Sequence, residues 1–171
     1  GDNGGEGMAI ARMLSEKGYY VEAYVTGKLS EKGIINYNRL VKKGIAKVFT
    51  INGEDKFPIL EKTDIIIDAL FGAGLNRPVE GYIGTLINYL NDSGATIISI
   101  DIPSGLFAED NAPHKTIEVD GVQYYENVIR ANYTLTLELP FISFFFADDA
   151  VHVGKWFILP IGLHRGFLRH E

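Results

Sequence analysis

The run DIIIDALFG, residues 64 to 72, constrains the fold more than any other stretch. Its apolar centre shows no polar alternation. A strand wetted on one face alternates, whereas a strand covered on both faces of a parallel sheet reads as a continuous apolar run. Parallel strands in turn need crossover helices, and the rest of the chain supplies them. Met8 to Lys17 has a helical pattern, with Ile10, Met13 and Leu14 on one face and Gly18 at its end. YYVEAYV, 19 to 25, reads as a strand. Ser30 is placed to cap a helix reaching Lys43, with Lys42 and Lys43 suited to its C-terminus. AKVFTI, 46 to 51, is the second strand and 64 to 72 the third. Gly81 to Asn91 reads as a helix, and ATIISIDIPSG, 95 to 105, holds the fourth strand. NYTLTLEL, 132 to 139, and KWFILPIGL, 155 to 163, are further strands, while 107 to 129 is a polar loop with room for a short hairpin. The order predicts a three-layer α/β/α fold, a Rossmann-like open and mostly parallel sheet, made by residues 1–171 as one domain.

Composition narrows the function. The net charge is −6, which argues against a general nucleic-acid binder, since that needs a basic surface. The chain has no cysteine, so disulfides, thiolate metal sites and thiol nucleophiles are excluded. That fits a reducing, cytoplasmic setting. No apolar run approaches the ~18 residues of a membrane span.

Ligands of open α/β sheets sit beyond the C-terminal strand ends, and the unusual residues of this chain fall there. GDNGGEG, 1 to 7, is expected to be a loop feeding the first helix. The third strand ends in Asp68 and enters GAGLNRP, 72 to 78; the fourth ends in Asp101 and enters IPSG, 102 to 105. A lone buried carboxylate is costly unless paired or bound to a cation. Each acid could equally cap the turn that follows it, and the residues alone leave both readings open. With Asn3 and Ser104 nearby, the two acids make a cation site of hard oxygen ligands attractive, suited to an alkali or alkaline-earth ion. The glycine stretch does not match G-x-G-x-x-G in register, and no acid ends the second strand, so a dehydrogenase is disfavoured. No G-x-x-x-x-G-K-[ST] loop is present either. Ser104 lacks a G-x-S-x-G elbow and a histidine near it in sequence, which disfavours it as a nucleophile.

Taken together, NGGEGMAIAR, DIIIDALFGAGLNRPVEG, ISIDIPSGL and VGKWFILPIGL resemble the YjeF N-terminal domain family, the NAD(P)H-hydrate epimerases. The family motifs N-N-G-G-D-G, D-A-L-F-G-x-G-L and D-I-P-S-G occur here in order. The resemblance implies interconversion of the R and S forms of hydrated NADH and NADPH (NADHX and NADPHX), so that a dehydratase acting on the S form can restore the cofactor. That dehydratase is a separate protein or a fused domain. The resemblance also implies an N-terminal helical segment and first strand ahead of the glycine stretch. Carried over, the substrate-binding residues are Asp2, Asn3, Gly4, Gly5 and Glu6, the turn Gly72, Ala73, Gly74, Leu75, Asn76, Arg77 and Pro78, and Asp101. Asp101 is the candidate acid/base, and Asn3, Asp68 and Ser104 the candidate ligands of a potassium ion. Backbone N–H groups of Gly4, Gly5 and Gly72 to Gly74 are candidates to hold pyrophosphate, with Arg77 adding charge. Departures from the family pattern are Asp2 for Asn, Glu6 for Asp, Phe107 for Asp and Phe141 for Lys. The alternative is a non-catalytic module on the same fold that binds a nucleotide-derived ligand or a protein.

Elsewhere, His114, His152, His164 and His170 form no helical metal-ligand pair and are expected to be structural. FISFFFADD, 141 to 149, is expected in the core or a homodimer interface, and Trp156 in the core.

Overall fold

The glycine stretch is helix, not loop. In the computed structural model, which describes residues 3–162, α1 spans Asn3–Glu16. A glycine inside a helix forfeits roughly 0.5–1 kcal/mol relative to alanine, so three of them need a reason. The reason is close approach. A Cβ on Gly5 would stand 3.2 Å from the Gly33 Cα, and one on Gly7 would stand 2.9 Å from the Ala69 Cβ. The buried stripe of α1 is therefore Gly5, Met8, Ala11 and Ser15. The expected Ile10–Met13–Leu14 face is displaced, and Met13 is exposed. Small side chains take the contact face because the neighbouring backbone leaves no room for large ones.

The next elements follow the expected order. β1 is Glu22–Thr26, shorter than anticipated, with Tyr19 and Tyr20 exposed ahead of it. α2 is Glu31–Lys43; the Ser30 hydroxyl caps it by accepting the Gly33 N–H at 3.1 Å, and Gly44 ends it in left-handed backbone, φ 61°. Lys43 pairs with Glu16 across to α1. β2 (Lys47–Ile51) lies parallel to β1, with Ala23 opposite Val48. β3 (Ile65–Asp68) precedes α3 (Gly81–Asp92) and β4 (Thr96–Ile100). The polar segment folds into an antiparallel hairpin, β5 (Thr116–Val119) and β6 (Val122–Tyr125). β7 (Tyr133–Leu137), α4 (Ala147–Val153) and β8 (Lys155–Leu159) complete the described chain.

Strands β3, β4, β7 and β8 form one parallel sheet in the order β3-β4-β7-β8, and β1 and β2 form a separate parallel pair. Ala23 and Val25 of β1 pack with Met8, Ala11 and Leu40 of α1 and α2. Tyr24, pointing the other way, joins the cluster built on Leu86, Ile87 and Leu90 of α3. Helices therefore cover both faces, as a three-layer fold requires. A third cluster, with Ile102, Leu106, Val128, Phe144 and Val153, fills the end near α4.

One expectation holds only in part. The apolar run at β3 is incompletely covered: Ile65 is 66% exposed, Ile66 and Ile67 are half-buried and Asp68 is buried. The strand stops at the expected Asp68, within the apolar run 64 to 72. The Asp68 carboxylate captures the Leu70 N–H and so bends the chain out of the strand. The aromatic segment, expected in the core or a homodimer interface, is buried only in part. Ile142–Phe145 forms a 3-10 turn and α4 follows, too short for a periodic signal but with Asp148 and Asp149 in its first turn. Phe144 is buried while Ile142, Phe145 and Phe146 are exposed. Trp156 is half-buried, with its ring centroid 5.9 Å from that of Phe144. Leu163, His164 and His170, with the rest of the C-terminal stretch, lie outside the described residues.

Candidate active site at the strand ends

β3 and β4 end side by side, and α1 begins against the segment that follows β3. Asp68 closes β3 and is 2% exposed. Its carboxylate accepts four hydrogen bonds: from the Ser99 hydroxyl (2.7 Å), the Ser104 N–H (2.9 Å), the Ser104 hydroxyl (2.5 Å) and the Leu70 N–H (3.3 Å). Burial pushes its pKa up, and these donors, Ser104 foremost, pull against that shift. The Ser104 hydroxyl also accepts the Phe71 N–H at 2.9 Å and lies 3.3 Å from the Phe71 carbonyl. The Asn3 side-chain amide donates to that same carbonyl at 2.9 Å.

Asn3, Asp68 and Ser104 are thus joined through one peptide unit, Phe71. The Asn3, Asp68 and Ser104 side chains and the Phe71 carbonyl each carry a hard oxygen, with one formal negative charge among them, while Asn3 meets Phe71 through its amide nitrogen. That donor set fits a monovalent alkali ion better than zinc. Among the described residues, no cluster of three or more His, Asp or Glu side chains could hold a metal ion. The capping reading of Asp68 also stands, because protein donors already satisfy both of its oxygens. The two readings are compatible, since a carboxylate oxygen has more than one lone pair.

Asp101 differs from Asp68 in every respect that matters chemically. It is half-buried, and its backbone is left-handed, φ 69°. Its N–H donates to the Leu135 carbonyl at 2.8 Å, which fixes the turn against β7. Its carboxylate receives only a long contact from the Leu137 N–H, 3.5 Å. Burial raises its pKa, and that one contact opposes the shift weakly.

A cavity of about 430 Å³ opens beside it, lined by Asn3, Glu6, the run from Leu70 to Leu75, and Asp101. The cavity thus gathers Asn3, Glu6, Gly72, Ala73, Gly74, Leu75 and Asp101 of the expected substrate residues. The others lie elsewhere. Gly4 packs toward Leu29 and Gly5 against Gly33. Asn76 and Arg77 are exposed, Pro78 is half-buried, and none of the three lines the cavity. Asp2 lies outside the described residues. Leu70 and Phe71 were missed, although their place between Asp68 and the glycine turn is a usable signal. Of the departures from the family pattern, Phe141 packs edge-on against Phe144 at 5.7 Å between ring centroids, and Phe107 is buried against His114.

A parallel sheet under helices on both faces, with a cleft beyond the strand ends, defines an α/β/α protein of the kind that holds a small ligand at the sheet edge. Sequence comparison gives the particular family. The chain belongs to the family of the YjeF-related protein N-terminus, whose model matches residues 1–142. It is 36% identical to a bifunctional NAD(P)H-hydrate repair enzyme of Thermofilum pendens, over 98% of this chain and 31% of the relative. It is 30% identical to the NAD(P)H-hydrate epimerase of Weissella koreensis, over 100% of this chain and 71% of the relative. The corresponding enzyme of Lentilactobacillus buchneri is 34% identical, over 97% of this chain and 71% of its own length.

Proposed function

We propose that this chain is an isomerase that interconverts the R and S forms of NADHX and NADPHX. The observation that carries the reading is Asp101: a desolvated carboxylate in left-handed backbone, on the wall of a cleft shared with the Gly72–Leu75 turn and the start of α1. Inverting the hydrated carbon requires its bond to the hydroxyl oxygen to break and to reform on the opposite face. A proton must reach that oxygen as it leaves and be removed again as it returns. A carboxyl whose pKa is raised from its ordinary value is suited to both transfers. Asp101 gives the proton in the first step and takes one back in the second, so the protein is unchanged after a cycle. The first N–H groups of α1 have no partner within the helix and favour the anionic pyrophosphate.

Potassium is the proposed resident ion, with Asn3, Asp68 and Ser104 as its ligands, supported by the oxygen donor set around Phe71. When bound it would supply fixed positive charge beside the phosphates. Bifunctional relatives suggest a dehydratase as the functional partner, fused or separate. The exposed apolar side chains of Leu139, Ile142, Phe145 and Phe146 favour a homodimer. Among the described residues no helix is long and apolar enough to cross a membrane. A non-catalytic binding module is the second reading, favoured by Phe141, which places a phenyl ring where the family pattern has a lysine.

The test is a coupled assay. The R form of NADHX is supplied with an S-specific dehydratase, ATP and potassium, and NADH absorbance is followed. Recovery that depends on this protein supports the isomerase. Recovery at the spontaneous rate, with folded protein present, moves the assignment to the binding module.

A further inference from the structure

Among the described residues, His114 is the one histidine bonded directly to the site turn. It is 8% exposed, in the segment between Phe107 and the hairpin. Its Nε2 lies 2.9 Å from the Gly105 carbonyl oxygen and its Nδ1 3.2 Å from the Asn111 carbonyl oxygen. A carbonyl only accepts, so each ring nitrogen can bond its carbonyl only as a donor, and the shorter contact assigns an N–H to Nε2, donating to Gly105. The ring is held from both sides, 4.2 Å from the Phe107 ring and 5.1 Å from the Tyr125 ring between centroids. Asn111 fixes the segment in turn: its side chain accepts the Phe107 N–H at 2.8 Å and donates to the Phe107 carbonyl at 3.1 Å.

What the ring holds is a turn with little freedom. Gly105 has φ 100°, and a Cβ there would stand 2.5 Å from the Asn127 carbonyl oxygen. The Ser104 carbonyl accepts the Ile129 N–H at 2.9 Å. The Gly105 carbonyl has His114 as its donor, in surroundings where Leu106 and Phe107 are both buried. Without that donor the carbonyl is left buried and unpaired, and the turn must shift to find another. Ser104 is one residue away and Asp101 four, with left-handed backbone at both 101 and 105. A shift at Gly105 therefore passes to the reacting carboxylate.

We propose that His114 is a positioning residue: its N–H to the Gly105 carbonyl sets the geometry of the turn that carries Ser104 and Asp101. The inference rests on the isomerase reading and adds a residue that touches neither substrate nor ion. Two variants test it. His114→Phe keeps a ring between Phe107 and Tyr125 but has no donor. His114→Gln keeps a donor amide at nearly the reach of Nε2. Both are assayed as in the coupled measurement, with thermal unfolding alongside. The expected result is a fall in kcat for His114→Phe on the order of tenfold to a hundredfold, as for a misplacement of about 1 Å or less, with KM nearly unchanged. His114→Gln is expected to recover most of that kcat. If His114→Phe does not fold, His114→Asn, too short to reach Gly105, takes its place in the comparison. Full kcat in the donor-less variant overturns the inference. So does an equal loss in the Gln and donor-less variants, or a loss that sits in KM or follows the unfolded fraction. An inactive wild type sinks the isomerase reading and this inference together, whereas an active wild type with unaffected variants sinks this inference alone.

Discussion

Replacing Asp101 by asparagine should separate catalysis from stability in opposite directions. Asparagine has nearly the same shape, tolerates left-handed backbone at least as well as aspartate, and can still accept the Leu137 N–H through its oxygen. It cannot carry a proton. Loss of a positioned acid/base removes about 10²–10⁴ in rate, which is roughly 3–5 kcal/mol of barrier. Stability should not follow. The folded-state pKa of Asp101 is raised, chiefly by burial. A raised acid contributes stability that is present below the unfolded value and lost as pH rises through the folded value. At pH 7, above the unfolded value, the raised acid is therefore a net burden on the fold, and Asp101→Asn relieves it. The coupled assay should show kcat down by that factor, while Tm at pH 7 equals or exceeds the wild-type value. Near pH 3 the Tm advantage should vanish, because both states are then protonated. Activity within threefold of wild type would refute the acid/base role. A Tm drop of more than about 5 °C, equivalent to more than about 1–2 kcal/mol here, would instead make Asp101 a structural cap.

Three further outcomes follow from other parts of the structure. Gly105→Ala should lower Tm by at least about 5 °C, because strain at positive φ and a backbone clash each cost about 1–3 kcal/mol; thermal unfolding with no change in Tm would show that the turn relaxes freely. His152 is fully buried, its Nε2 accepting the Tyr125 N–H and its Nδ1 donating to the Ile129 carbonyl. Burial lowers its pKa from 6.5 to about 4, so its contribution is present above the unfolded value and lost as pH falls from about 6.5 towards 4. Stability measured by denaturant should decline over that window by on the order of 3 kcal/mol, and His152→Phe, though less stable, should lack that part of the slope. Potassium at a hundredfold excess over its Kd should raise Tm by roughly 5 °C or more relative to tetramethylammonium, and Asp68→Asn should abolish the difference; equal Tm in both salts would count against the ion site.

What the sequence showed and hid divides along a physical line. Local signals were legible: the Ser30 cap, the left-handed Gly18, the end of α3, and the acids at the strand ends all act within a few residues of themselves. The Asn3–Asp68–Ser104 grouping was legible because three separate turns had to meet at one sheet edge. Properties set by a partner were not. Whether Gly4, Gly5 and Gly7 make a loop or a tightly packed helix depends on Gly33 and Ala69, which no local pattern reveals. How far the β3 run is covered depends on which elements pack over its faces, and Ile65 is left 66% exposed. Arg77 looked suited to a phosphate by type and position, yet it is exposed and off the cavity wall. The role of His114 was invisible because its partner is a backbone carbonyl nine residues away.

The two acids at the strand ends show how one fold gives the same side chain different work. Asp68 follows Ile67 in regular strand, and its oxygens meet N–H and O–H donors on every side. Such a carboxylate is too well satisfied to exchange protons cheaply, and it serves to tie β3 to the Ser104 turn. Asp101 stands one residue beyond β4, where the backbone has turned left-handed. That conformation costs an aspartate on the order of 1 kcal/mol or more, and glycine would avoid the strain. What the strain accomplishes is direction. With its N–H fixed to Leu135, the residue faces its carboxylate away from the donors that surround Asp68 and onto the cavity wall. Partial burial then raises its pKa without a strong donor to lower it again. A strained backbone, an under-satisfied carboxylate and a cleft coincide at one residue, and that coincidence, rather than the acid's position in a motif, is the physical case for Asp101 as the proton carrier.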